Sequence, residues 1–247
     1  MTSTGTSAKP RRSRFPGFKR GIESSRHFWR AVMGRDLRQP LEIECQTILL
    51  GGERAEWRLC PRGLRPGSVV YSFGVGSDIS FDRDLIERFG VLVHGFDPTP
   101  RSIAWVNSHE LPARFVFHEY GVAGHDGTAA FSPPENSGYV SYSVVPGRGQ
   151  PAAAVEAPVY RLSTILKMLG HAHVDLLKMD IEGAEYAVMD DLLASGVRAG
   201  QILVEFHHRW REIGVERTRE AVCKLNGAGY RLFAVSPSGA EYSFLAP

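Results

Sequence analysis

The sequence predicts an α/β fold: a mostly parallel sheet covered by helices, with an antiparallel hairpin at its C-terminal end. Three observations predict it. Residues 69–97 read as strand, glycine turn, helix and strand. From there to Asn226, short β-favouring runs alternate with helix-length periodic segments, the pattern of a parallel sheet with both faces covered. Finally, Gly229–Val235 and Glu241–Leu245 are strands joined by a turn at Ser236-Pro-Ser-Gly239. That pair breaks the alternation and requires one antiparallel strand at the end of the sheet.

The composition allows this. The chain has 247 residues, 43% hydrophobic and 23% charged, which suits one soluble domain with extensions. No apolar run approaches membrane-spanning length and no signal-peptide core follows the basic start, so a cytoplasmic protein is expected. Cys45, Cys60 and Cys223 are scattered, without zinc spacing, and read as reduced packing thiols. The net charge of +2 conceals an asymmetry. Residues 1–38 carry ten Lys/Arg and two acids, or +8; the remainder carries nineteen against twenty-five, or −6. Such a tail suits nucleic acid, an anionic surface or an organellar address, or it is simply solvated chain.

The elements follow in order. Residues 1–40 form a basic extension, partly disordered; Met1–Arg20 is rich in Ser, Arg and Pro, and no structure is assigned there. Glu23–Arg35 suits an amphipathic helix with Phe28, Trp29, Val32 and Met33 available for burial. The main domain is residues 41–247. It starts with a hairpin over residues 41–60, Leu41–Leu50 and Ala55–Leu59 around Gly51-Gly52, read as an added edge or lid. Val69–Phe73 is a buried strand, Gly74-Val-Gly76 a tight turn, and Ser80 the cap of a helix that Gly90 ends. Val91–Phe96 is the second strand, with Asp97 at its tip. Thr99 caps a helix that Pro100 starts, and Phe115–His118 is the third strand. Tyr120–Gly127 is a loop and Thr128–Phe131 follows it. Residues 132–158 are rich in Pro, Gly, Ser and Ala and are expected to lie over a substrate site. Ser163 caps a helix to Leu169; Val174–Met179 is a strand ending in Asp180; Gln201–His208 is a strand with a polar tip; and Val215–Asn226 is a helix.

The turn at Gly74 and Gly76 carries the chemistry. A turn of this kind presents backbone N–H groups to a ligand, and an acid about 20 residues on binds a ribose. Asp97 holds that place, so a nucleoside-bearing cofactor is expected. A dinucleotide site needs a third glycine, and Ile79 stands where it would be. That demotes NAD and favours a cofactor without a pyrophosphate, such as S-adenosyl-L-methionine. The terminal hairpin points the same way.

Five blocks, VVYSFGVGSDISFD, FDPTPRS, GVAG, LLKMDIEGAE and ILVEFHH, together resemble the FkbM-type methyltransferases, a branch of the class I S-adenosylmethionine-dependent enzymes. The resemblance runs from about Gly67 to His208, with the family's hairpin beyond. It implies a seven-stranded Rossmann-like sheet and methyl transfer, most often to an oxygen of a sugar, polyketide or other natural product. It also implies that Gly74 and Gly76, with Ser77 and Asp78, hold the methionine portion. Asp97, followed by Thr99, would bind the ribose, and Gly121–Gly124, centred on Val122, would lie near adenine. Asp180 would sit beside the methionine or the substrate. Where the family's loop carries an acid and a later glycine, this chain has Ser72 and Asp78.

A hydroxyl acceptor needs a base or a metal. Asp180, Glu205, His207 and His208 fall at carboxyl ends of strands, where open α/β sheets place their ligands. His207 or His208 is the expected base, since histidine titrates near neutrality. No metal is assigned, although Asp180, Glu205 and His207 form an alternative oxygen-and-imidazole set. Glu182 and Glu185 suit capping of the next helix, or Glu182 the substrate mouth. The expected partner is a small-molecule acceptor rather than nucleic acid, and the sequence does not set the oligomeric state. RNA or protein methylation through the basic tail, and a non-catalytic S-adenosylmethionine-binding module, are the alternatives.

Overall fold

The computed structural model describes residues 16–53, 55–134, 142–145 and 153–247, with residues 16–20 as backbone only. Helix α1 spans Pro16–Val32, so it starts before the expected Glu23 and takes in part of the stretch to which no structure was assigned. Its large apolar residues are not buried. Trp29 is 62% exposed, and Phe28, Val32 and Met33 are exposed with it. The reason is its orientation: His27 faces the body, where its Nε2 is hydrogen-bonded to the Leu37 carbonyl at 2.8 Å. The apolar stripe is left outward.

The expected long hairpin is a short one, β1 (Ile48–Leu50) and β2 (Trp57–Leu59), antiparallel. It is not at an edge. It packs on the face of the main sheet, with Trp57 and Leu59 buried. The Gln201 side chain fastens it by accepting from the Cys60 N–H at 3.0 Å and donating to the Cys60 carbonyl at 2.7 Å. Residues before β1 do not pair with β2. Instead, the Glu42 N–H donates to the Leu232 carbonyl at 2.8 Å.

β3 (Val69–Phe73), α2 (Ser80–Phe89) and β4 (Leu92–Phe96) form the expected unit, and Gly90 ends α2 in the left-handed region at φ 64°. Ser80 does not cap α2, because its hydroxyl is turned to the hairpin and accepts from the Gly52 N–H at 2.7 Å. The N-cap position is Ile79, without a side-chain cap, and Asp78 just before it accepts from the Ser80 N–H at 2.7 Å. α3 (Pro100–Asn107) has Pro100 in its first turn, and β5 (Phe115–His118) follows. The expected loop at Tyr120 contains a short strand, β6 (Gly121–Val122). With β7 (Gly127–Phe131) and β8 (Val155–Tyr160) it makes a separate sheet in the order β6-β8-β7. Most of the expected cover over 132–158 lies outside the described residues.

α4 (Leu162–Leu169) begins one residue before Ser163, so that serine is inside the helix and Arg161 is its N-cap position. β9 (Val174–Met179), α5 (Glu185–Ser195), β10 (Ala199–Glu205), α6 (Val215–Gly227), β11 (Arg231–Val235) and β12 (Glu241–Leu245) complete the chain.

The main sheet has seven strands in the order β11-β12-β10-β9-β3-β4-β5. β10, β9, β3, β4 and β5 run parallel, and β12 is antiparallel to both β10 and β11. The antiparallel strand is thus one place in from the end, with β11 outside it. Alternating residues feed two cores. Leu177 and Val204 pack with Leu162, Val188, Leu192 and Leu225 of α4, α5 and α6. Their neighbours Leu176 and Leu203 pack with Phe81, Leu85, Val106 and the hairpin's Trp57 and Leu59. The hairpin therefore does on the second face what a helix does on the first. No helix among the described residues is long and apolar enough to cross a membrane.

At the β3–β4–β5 side, aromatic and imidazole rings stack together. Phe96 stacks on His118 at 4.7 Å, and His94 on His118 at 5.2 Å. His94 Nδ1 lies 2.9 Å from His118 Nε2, and the Tyr71 hydroxyl 2.7 Å from His171 Nδ1. Burial, then the neighbouring His118 and His171, push His94 down to about 4. Burial, then a neighbouring histidine, also lowers His118 and His171. An unfolded histidine titrates at about 6.5. Between those values the unfolded chain binds protons that the folded chain refuses. Stability is therefore full above about pH 6.5 and falls as pH drops toward about 4. Urea midpoints measured across that range should decline on acidification, and His94→Phe should flatten the decline. An unchanged slope in His94→Phe would show that His94 is not the group responsible.

Candidate functional site

The carboxyl ends of β3, β4, β9 and β10 open into one cleft of about 1490 Å³. Gly74 turns at φ 82°, and a Cβ there would overlap the Asp180 carbonyl oxygen. The strand tips are tied at this point. The Asp180 N–H donates to the Phe73 carbonyl at 3.1 Å, and the Gly74 N–H to the Phe96 carbonyl at 3.0 Å. Asp97 is buried at the tip of β4. One of its oxygens accepts from the Gly76 N–H at 2.9 Å. The other accepts from the Thr99 N–H at 3.0 Å and the Thr99 hydroxyl at 2.6 Å.

Gly74, Gly76, Ser77, Asp78, Asp97, Thr99, Val122 and Asp180 all line this cleft. The structure thus brings together every residue expected around a cofactor. Tyr142, Val144 and Val145, from the region expected to cover the substrate, also line it, as do Leu49, Trp57 and Arg58 of the hairpin.

The expected catalytic group divides. Asp180 and Glu205 line the cleft. His207 approaches from behind them, and one ligating atom from each of the three lies within 4.8 Å of the others. Glu185, fully buried, accepts from the His207 backbone N–H at 3.0 Å and faces its Nδ1 at 3.2 Å. Glu182 lies 3.3 Å from its Nε2. Burial works against a charged imidazole, but Glu182 and Glu185 outweigh it and raise His207 well above its ordinary value. The two carboxylates thus favour a proton on each ring nitrogen, which does not suit the expected role of free base. Burial raises Asp180, with Lys178 opposing, and it raises Glu205 well above the usual carboxylate range, with Asp180 adding to it. The proton-accepting groups of this floor are the carboxylates.

His208 does not join them. It is buried on the other side of the chain, with Nε2 2.6 Å from Asp36, and it is not among the cleft residues. β10 ends at Glu205, and the backbone turns so that the Trp210 N–H bonds the His207 carbonyl. Asp36 also takes two hydrogen bonds from Arg209, at 2.9 and 2.7 Å. Burial raises the Asp36 pKa, but the His208 and Arg209 contacts prevail and hold it below the ordinary value.

Two contributors were missed in the sequence. Lys178 sits in the buried run of β9, donates to the Gly74 carbonyl at 2.8 Å and lies 5.5 Å from the Trp57 ring centre. Its signal was a lone cation inside an apolar strand. Asp36 was lost among the basic residues of the first segment. Glu182 is the one non-glycine with positive φ among the described residues, at 50°. That conformation starts a tight turn continued by Gly183, and the Gly183 N–H donates to Glu185 at 2.8 Å.

His208→Ala should lower thermal stability, by about 1–3 kcal/mol for loss of a buried hydrogen-bond partner of Asp36, which keeps Arg209. It should leave turnover of the folded protein near wild type. A large loss of turnover with unchanged melting would return His208 to the reaction centre.

The family model described as the methyltransferase FkbM domain matches residues 57–232. The 31-O-demethyl-FK506 methyltransferase FkbM of Streptomyces tacrolimicus is 28% identical over 204 residues, covering 69% of this chain and 75% of that protein. A Rattus norvegicus protein named "Probable methyltransferase-like protein 24" is 28% identical over 160 residues, covering 63% of this chain. The chain spans 37% of that relative's length. Among solved structures, the methyltransferase FkbM of Methylobacillus flagellatus KT superposes with a TM-score of 0.45 at 12% identity, covering 73% of this chain and 44% of that one. The family model covers well over half of the sequence, including the glycine turn and the acidic strand tips: the chain belongs to the FkbM methyltransferase family.

Proposed function

We propose that this chain is a methyltransferase that uses S-adenosyl-L-methionine and methylates a hydroxyl of a small acceptor, such as a sugar or polyketide. The observation that carries the reading is one cleft holding two unlike sets of groups. On one side are the glycine turn and Asp97; on the other, the paired carboxylates of Asp180 and Glu205.

The residues fit the cofactor. A carboxylate offers about four lone-pair directions. Asp97 spends three of them on Gly76 and Thr99, which fixes its orientation and leaves one on the Gly76-facing oxygen for a ribose hydroxyl. Val122 and its neighbours supply an apolar wall for a base. When bound, the cofactor supplies a sulfonium methyl group to an in-line displacement. The chain then has to align an acceptor oxygen and take its proton. Asp180 and Glu205 stand where that oxygen would lie, and His207 behind them offsets their charge. The relative named 31-O-demethyl-FK506 methyltransferase, whose name places its methyl group on an oxygen, supports this acceptor class.

The test is calorimetric titration with S-adenosylhomocysteine, with NADH as control, followed by transfer of labelled methyl groups to hydroxylated acceptors. Asp97→Ala should lose binding by about tenfold or more, the worth of one or two charge-assisted hydrogen bonds. Glu205→Gln should keep product affinity but lower kcat by about 10²–10⁴, the usual contribution of a general base. Clean NADH binding without S-adenosylhomocysteine binding would sink the cofactor assignment.

A further inference from the structure

Resting on that reading of the cleft, we propose that Asp180, Glu205 and the Nε2 of His207 form a site for one divalent cation of the Mg²⁺/Mn²⁺ class. The first observation is convergence. One donor atom from each residue lies within 4.8 Å of the others, although the residues come from two different strand tips. The second is an orphaned atom. Asp180 Oδ1 is shut off from solvent and has no hydrogen-bond partner among the described residues. A buried acceptor left in that state is costly, and a cation ligated by that oxygen would remove the cost.

The third observation concerns His207. A metal-ligating histidine commonly gives its other ring N–H to a carboxylate, which fixes the tautomer. Glu185 is fully buried and sits 3.2 Å from Nδ1, so Nε2 is the ring atom left for an ion, which would displace the proton that Nε2 holds toward Glu182 at 3.3 Å. Glu185 is itself held by two backbone N–H groups, those of Gly183 at 2.8 Å and His207 at 3.0 Å. Such anchoring makes it a positioning residue rather than a ligand.

The charge balance agrees. Asp180, Glu182, Glu185 and Glu205 bring four carboxyl groups to this floor. The adjacent Lys178 is turned to the Phe73 and Gly74 carbonyls, at 3.2 and 2.8 Å. One imidazole among carboxylate oxygens, without a thiolate, suits a hard or borderline ion rather than a soft one. Asp180 and Glu205 line the cleft while His207 stands behind, so the remaining positions of the ion would open toward the acceptor. The ion would lower the pKa of an acceptor hydroxyl bound to it.

The experiment is direct binding of Mn²⁺ to chelator-stripped full-length protein, followed by the loss of the free-ion EPR signal and by calorimetry. One equivalent should bind saturably. Glu205→Gln and His207→Ala should each weaken it by at least about 100-fold, and Glu185→Gln by about 10–100-fold. S-adenosylhomocysteine affinity within about threefold of wild type shows that each variant is folded; Asp180→Asn replaces any that is not. No saturable binding, or equal binding by wild type and the folded variants, would overturn the site. Full methyl transfer in stripped protein would also overturn it, while leaving the methyltransferase chemistry intact. Failure to bind S-adenosylhomocysteine with Mn²⁺ binding retained would count against the cofactor assignment and not against the cation.

Discussion

The structure depends on how closely the ends of β3 and β9 approach each other. Gly74 has no side chain, so the backbone leaving β3 can pass against the Asp180 carbonyl at the end of β9. Two hydrogen bonds lock the meeting point, one from Asp180 to Phe73 and one from Gly74 to Phe96. Three strand tips are thereby held together, each delivering a different part of the site. β3 supplies the turn, β4 supplies Asp97, and β9 supplies Asp180. A looser junction would separate the proposed cofactor seat from the proposed acceptor groups, and near-ångström placement is what alignment chemistry requires.

Much of this was legible in the sequence because it rests on local signals. Gly74, Gly76 and Asp97 have a spacing that one strand, one turn and one helix impose, and the hydrogen bond from Gly76 to Asp97 closes that loop. The terminal hairpin was legible from its turn residues, though not the insertion of β12 inside β11, since pairing order is not a local property. The hairpin β1–β2 was misjudged for a related reason. Its seat on the sheet face depends on Gln201 meeting Cys60, a contact 141 residues apart in sequence. His207 and His208 show a different limit. Both lie just beyond β10, and the alternation that sets His207 beside Glu205 puts His208 on the opposite side, where Asp36 holds it away from the cleft. Helix α1 was legible as amphipathic, but an apolar stripe does not say whether it meets the body or the solvent.

The site is also a problem in buried charge. Carboxylates at the mouth of a sheet are costly unless each finds a compensating group. Asp97 is satisfied by three donors from Gly76 and Thr99. Glu185 is satisfied by backbone and by His207. Asp36, on the far side of the same strand end, has His208 and Arg209. Three carboxylates are less complete: Asp82 Oδ1, Asp180 Oδ1 and Asp191 Oδ2 have no hydrogen-bond partner among the described residues, and of the three only Asp180 lines the cleft.

The place of β12 between β10 and β11 bears on how the protein is made. β12 follows every other strand of the sheet in sequence, yet among the strands of the sheet β11 pairs with β12 alone. On the ribosome, β10 therefore emerges with one edge open and must wait for a strand not yet translated. An apolar edge in that state is a template for pairing with the wrong chain. Slow elongation over the stretch from α6 onward would prolong this exposure, so the yield of folded protein should respond to translation speed there more than anywhere earlier in the sheet.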